Sequence, residues 1–113
     1  MPGSDRREPG LEAAWRLRWR AYALTGAHRI APRPGPLSVP PQWTAWLLMD
    51  KAGVPRPLIA RTAGIDPALL ERRLRLAKAM LIFAPYAARV EALMRSMPAF
   101  AEPVPEAACA GQG

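Results

Sequence analysis

The chain has 113 residues, 14 of them proline, half of its residues are hydrophobic, and its formal net charge is +7. That length supports one helical core of three to five short helices but not a second independent domain, and the prolines exclude a single long coiled coil. Arginine supplies 14 of the 16 cations, against 9 acids. Its planar guanidinium suits bidentate contact with phosphate or a guanine edge, so an anionic partner is expected.

Cys109 has no second thiol to bridge and His28 is the only histidine. A disulfide scaffold and a structural zinc are therefore excluded, and a reducing compartment is expected. Paired carboxylates, a nucleophile beside a base and a Gly-rich phosphate loop are all missing from the pattern. The expectation is a protein without enzymatic activity, metal, cofactor or small-molecule substrate. No apolar run approaches the 18 residues a span needs, so the chain is expected to be cytoplasmic and to work away from membranes.

Residues 1–27 read as a tail followed by a separate amphipathic helix. Between Pro9 and Thr25, the residues Leu11, Trp15, Trp19 and Tyr22 fall on one helical stripe, bordered by Arg16, Arg18 and Arg20. Three uses of that stripe stand open. It faces a core with its arginines snorkelling, or Trp15, Trp19 and Tyr22 dock on a protein such as a sigma-like or other transcription-machinery partner, or it lies on a membrane surface. Residues 28–41 hold five prolines and predict a stiff, extended basic arm. Its Arg29 and Arg33 either keep the arm soluble or reach a phosphate backbone or minor groove.

Residues 42–98 carry the main pattern. A helix from Pro41, with Trp43, Trp46, Leu47 and Asp50 roughly on one side and Leu48 and Met49 extending the apolar area, is predicted to stop at Gly53. A short helix from Pro57 to Ala63 follows, closed by Gly64 in the left-handed conformation. Asp66 then caps a helix over 67–83 with Pro67 in its first turn. Along that helix Leu70, Leu74, Ala77 and Leu81 form the expected buried stripe. Ala68, Arg72, Arg75 and Ala79 fall opposite, Glu71 and Lys78 flank them, and Arg73 leans toward the buried side. A leucine stripe backed by a basic, small-residue face is what a helix entering the major groove needs. Tyr86, Val90, Leu93, Met94 and Met97 mark a closing helix that runs from Pro85 to about Pro98. The acidic remainder, 99–113, is expected to be a disordered tail.

The stretch from Val39 to Met97 resembles the C-terminal DNA-binding domain of the bacterial chromosomal replication initiator. Pro40 and Gln42 are similar to the residues that open that domain's helix after its basic loop. Pro57, Ile59 and Gly64 resemble its helix leading into the turn, and Asp66 resembles the aspartate of its signature. The resemblance implies an all-α bundle with a helix-turn-helix, and an arginine of the preceding loop, Arg33 or Arg29, in the minor groove. Where the family has histidine and threonines after the aspartate, this chain has Pro67, Ala68 and Leu69, so the family's own DNA site is not implied. Small proteins that carry this domain alone, among them transcriptional activators of gene-transfer-agent or phage-like clusters, are similar in lacking the ATPase module.

The expected function is sequence-selective binding of double-stranded DNA in transcriptional regulation, as an activator associated with the nucleoid. Ala68, Glu71, Arg72, Arg75 and Lys78 would face the major groove, and Arg56 and Arg61 the phosphates. A protein-interaction adaptor that binds another regulator, or a structural phage-like protein, is the alternative.

Overall fold

The computed structural model describes residues 10–29 and 39–100. Among them are five α-helices and no strand: α1 (Leu11–Thr25), α2 (Pro41–Lys51), α3 (Arg56–Ala63), α4 (Pro67–Ala79) and α5 (Ala84–Met94), with a 3-10 turn at Met80–Ile82 between the last two. Each helix from α2 to α5 has a proline in its first turn, where the missing N–H would have no helical partner anyway. The prolines that exclude a long helix thus start four short ones.

The core is organised around α2. Six successive residues, Thr44 to Met49, are buried, so this helix has no solvent face over that stretch, and α1, α3, α4 and α5 all pack against it. The sequence pattern places Trp43, Trp46, Leu47 and Asp50 roughly on one side of α2, with Leu48 and Met49 widening the apolar area. The uninterrupted run Ala45-Trp46-Leu47-Leu48-Met49 belongs instead to a helix enclosed by the other four.

The first helix is not separate. It packs on α2 and α3, and Ala14, Leu17, Ala21 and Tyr22 are continuous with the hydrophobic core. The buried side is also not the aromatic stripe expected from spacing. Ala14 and Ala21 are small enough to bring the axis of α1 close to its neighbours, with Leu17 filling the space between them, and this contact turns Trp15 and Trp19 outward. Of the aromatic residues only Tyr22 reaches inside, where its Oη accepts a 3.0 Å hydrogen bond from Trp46 Nε1.

Three boundaries also differ from expectation. The closing helix, expected to reach about Pro98, ends at Met94, and the chain runs on through Met97 in tighter turns bonded three residues back. The helix predicted over 67–83 ends at Ala79 and tightens into the 3-10 turn, because Pro85 has no N–H to donate to the Leu81 carbonyl and its ring would collide with it. At the other end, the expected tail from 99 begins two residues too early. The Phe100 amide donates to the Ala52 carbonyl at 2.8 Å, and its ring lies so close to Gly10 that a Cβ there would stand 2.9 Å from it. The remainder of that tail, 101–113 with Cys109, lies outside the described residues, as do 30–38 of the proline arm.

Candidate nucleic-acid interface

The α3–turn–α4 unit is built by local chemistry. Gly64 closes α3 with φ 70°, a backbone region that residues with a Cβ rarely adopt, and its amide bonds back to the Ala60 and Arg61 carbonyls. Two residues on, Asp66 is extended and its carboxylate accepts from the Ala68 amide at 3.1 Å, while Pro67 takes the first helical position. The chain therefore leaves one helix and enters the next within Gly64-Ile65-Asp66.

Packing then fixes the rotation of α4. Leu70, Leu74 and Ala77 are fully buried, and Leu81 is half-buried beyond the helix end. Ala68, Arg72, Arg75 and Ala79 are exposed on the opposite side. Their spacing of four, three and four places them along one ridge about 16 Å long at 1.5 Å per residue. Neither Arg72 nor Arg75 forms an ion pair among the described residues. Arg73, one position round, folds back onto the bundle with its guanidinium 5.5 Å from the Trp43 ring and 5.9 Å from the Trp46 ring.

One flank of α4 behaves differently from the groove-facing role expected of it. Asp50, at the end of α2, accepts from Arg56 Nε at 3.1 Å and from Lys78 Nζ at 3.0 Å, and a second nitrogen of Arg56 binds Glu71. Burial pushes the Asp50 carboxyl up, but the bonds and charges of Arg56 and Lys78 outweigh it and hold the carboxyl below its ordinary value. Asp50, Arg56, Glu71 and Lys78 therefore form a four-membered cluster that ties α4 to α2 and α3. The clustering of Asp50 is not visible in the sequence pattern, because Glu71 and Lys78 lie more than twenty residues away and Asp50 itself falls beside the apolar residues of α2.

The other expected contacts divide. Arg61 is exposed on α3, and Arg29 is exposed just after α1, whereas Arg33 lies outside the described residues. Trp15 and Trp19 are 37% and 61% exposed, but Tyr22 is 5% exposed and cannot meet a partner. His28 is an exposed loop residue whose Nδ1 lies 3.0 Å from the Tyr22 carbonyl. Leu76 and, past the end of α4, Ile82 and Phe83 add exposed apolar surface that no periodicity argument had marked.

Elsewhere, a cavity of about 450 Å³ lies between the end of α1 and the starts of α2 and α5. Its hydroxyls are already engaged, Thr25 with the Ala21 carbonyl and Thr44 with Tyr86 at 2.8 Å. Among the described residues no group of three or more His, Cys, Asp or Glu could hold a metal ion, and no helix is long and apolar enough to cross a membrane. No family model, curated protein or solved structure matches this chain.

Proposed function

We propose that the chain is a non-catalytic helix-turn-helix protein that binds double-stranded DNA and regulates transcription, with α4 as the helix that enters the major groove. The observation that carries this reading is the ridge Ala68, Arg72, Arg75, Ala79 standing opposite a fully buried Leu70, Leu74, Ala77 stripe. The alanines let the helix axis approach the base edges, and two arginines without carboxylate partners among the described residues reach beyond them to guanine or to phosphate. The net charge of +7 favours the same partner.

The ion-pair cluster narrows the contact set. Arg56, Glu71 and Lys78 are assigned to holding α4 in place, and the reading of bases rests on Arg72 and Arg75, with Arg61 and Arg29 placed toward the backbone. Replacing both arginines, Arg72→Ala with Arg75→Ala, is expected to cost about 1–3 kcal/mol each in binding to the preferred site, tenfold or more, and to flatten sequence preference. Selection of bound sequences from a random duplex pool supplies the site, and titration at several salt concentrations supplies the slope. An unchanged preference in the double variant overturns the assignment of α4.

The exposure of Trp15 and Trp19 favours a second reading, an adaptor that binds another regulator without touching DNA. Salt separates the two readings, since several phosphate contacts make DNA affinity fall steeply with ionic strength while a tryptophan-centred interface barely responds.

A further inference from the structure

The outer face of α1 is unlike the rest of the surface. Trp15 and Trp19 stand one turn apart and remain exposed although the helix beneath them is packed into the core. Helical geometry puts Arg16 and Arg20 along one edge of the pair and Arg18 along the other. Arg18 is half-buried, held 4.2 Å from the Tyr22 ring, 5.0 Å from Trp15 and 5.3 Å from Trp19. Its Nε is buried without a hydrogen-bond partner, and no carboxylate pairs with it among the described residues. Arg20 likewise has no ion pair there, and Arg16 has only Glu12 at 3.7 Å, both largely in solvent, a contact easily exchanged.

We infer that this face is the docking site for an acidic segment of a partner protein, one that seats an apolar side chain against Trp15 and Trp19 and offers carboxylates to the arginines on either side. Three observations select that occupant. Two exposed tryptophans beside arginine are the residue types that concentrate binding energy in protein interfaces. The guanidinium of Arg18 is already immobilised and partly stripped of water by three rings, so a carboxylate meeting its accessible edge gains a charge-assisted bond without ordering a flexible side chain. A base stacking on Trp15 or Trp19 would compete with Arg18 for those rings, which disfavours single-stranded nucleic acid here. The surface is distinct from the α4 ridge, because α1 and α4 pack on α2 without forming a packed pair with each other.

The test uses the full chain and a synthetic helical peptide with leucines every third or fourth position and glutamates between them, labelled for fluorescence anisotropy. The same peptide with glutamine for every glutamate is the control. The glutamate peptide is expected to bind, the glutamine peptide at least tenfold more weakly. Trp19→Ala and Arg18→Met should each weaken the glutamate peptide about tenfold, and Arg72→Ala with Arg75→Ala should leave it unchanged. Trp19 is mostly in solvent, so Trp19→Ala should melt as the parent does and its loss of binding is a loss of contact. Equal binding by Trp19→Ala overturns the inference, and so does Trp19-dependent binding of a single-stranded oligonucleotide or of phosphatidylserine vesicles in place of the peptide. No DNA-reading step enters the peptide titration, so a failure of α4 as a recognition helix leaves this result readable.

Discussion

Helices α1 and α4 each carry three arginines and use them in the same division of labour, yet present opposite surfaces. In each helix one arginine folds back onto aromatic rings, Arg18 onto Tyr22, Trp15 and Trp19, and Arg73 onto Trp43 and Trp46. In each, others face outward. The difference lies in what stands beside the outward ones. On α4 it is alanine, Ala68 and Ala79, which allows a helix to lie deep in a groove; on α1 it is tryptophan, which holds a groove off but fills a pocket in a protein. Similar charge on two helices is therefore no guide to a shared partner, whereas the size of the neighbouring residue is.

The two helices meet at Trp46, and this gives the largest expected effect. Its Nε1 donates to Tyr22 Oη of α1, and Arg73 of α4 stacks on its ring, with the side chain 2% exposed. Trp46→Ala removes a buried ring, orphans the Tyr22 hydroxyl and uncovers Arg73. A loss of about 3–5 kcal/mol is expected, a large share of the stability of a domain this small. Urea denaturation followed by circular dichroism measures it, and Trp46→Phe should recover part of the loss by refilling space without restoring the hydrogen bond. A loss below about 1 kcal/mol would mean that α1 and α4 are stabilised independently of one another.

That coupling explains how much of the molecule could be read from sequence. The turn from α3 into α4 was legible because each of its signals is local: a glycine that must be left-handed, an aspartate that caps the next helix and a proline at its first position. The Leu70, Leu74, Ala77 stripe was legible because every member is apolar and α4 has a single buried side. The buried face of α1 was not, because apolar size and burial part company there. Ala14 and Ala21 are buried since close approach to α2 needs small residues, and Trp15 and Trp19 are left outside by the same contact. Likewise the roles of Glu71, Lys78 and Arg56 follow from Asp50, which meets them only in three dimensions.

A smaller effect separates the arginines of α4 from one another. Arg73→Ala gives up stacking on two tryptophan faces and the packing of its aliphatic stem, at an expected cost of about 1.5 kcal/mol in stability. Arg72→Ala, in solvent, should change stability by less than about 0.5 kcal/mol. For DNA affinity the order should reverse, with Arg72→Ala the weaker binder at temperatures where both variants are folded. Thermal melts paired with titrations of the selected duplex test the crossing, and a loss of affinity in Arg73→Ala equal to that in Arg72→Ala would remove the distinction between a structural and a reading arginine.

The smallest effect is electrostatic and distinguishes the tied flank of α4 from its free ridge. The Asp50 side chain is 16% exposed and its carboxyl lies below the ordinary value because Arg56 and Lys78 favour the charged form. A group whose folded pKa is lowered binds fewer protons when folded than when unfolded. Its contribution is therefore complete above the unfolded value, roughly pH 4, and is lost as pH falls through the lower folded value. The partners are about two-fifths exposed, so solvent screening limits the contribution to about 1 kcal/mol. Asp50→Asn should consequently be less stable than the parent at pH 7 by about that amount, and the gap should narrow as pH falls below about 4, in denaturation curves taken at each pH. Freed from Asp50, Lys78 and one nitrogen of Arg56 become available as mobile cations beside the ridge, so the same variant should bind non-specific duplex slightly more tightly at low salt, with no gain in selectivity. A gap that stays constant however far the pH is lowered would show that Asp50 acts through its shape and not its charge, and the orientation of α4 would then rest on the Leu70, Leu74, Ala77 stripe alone.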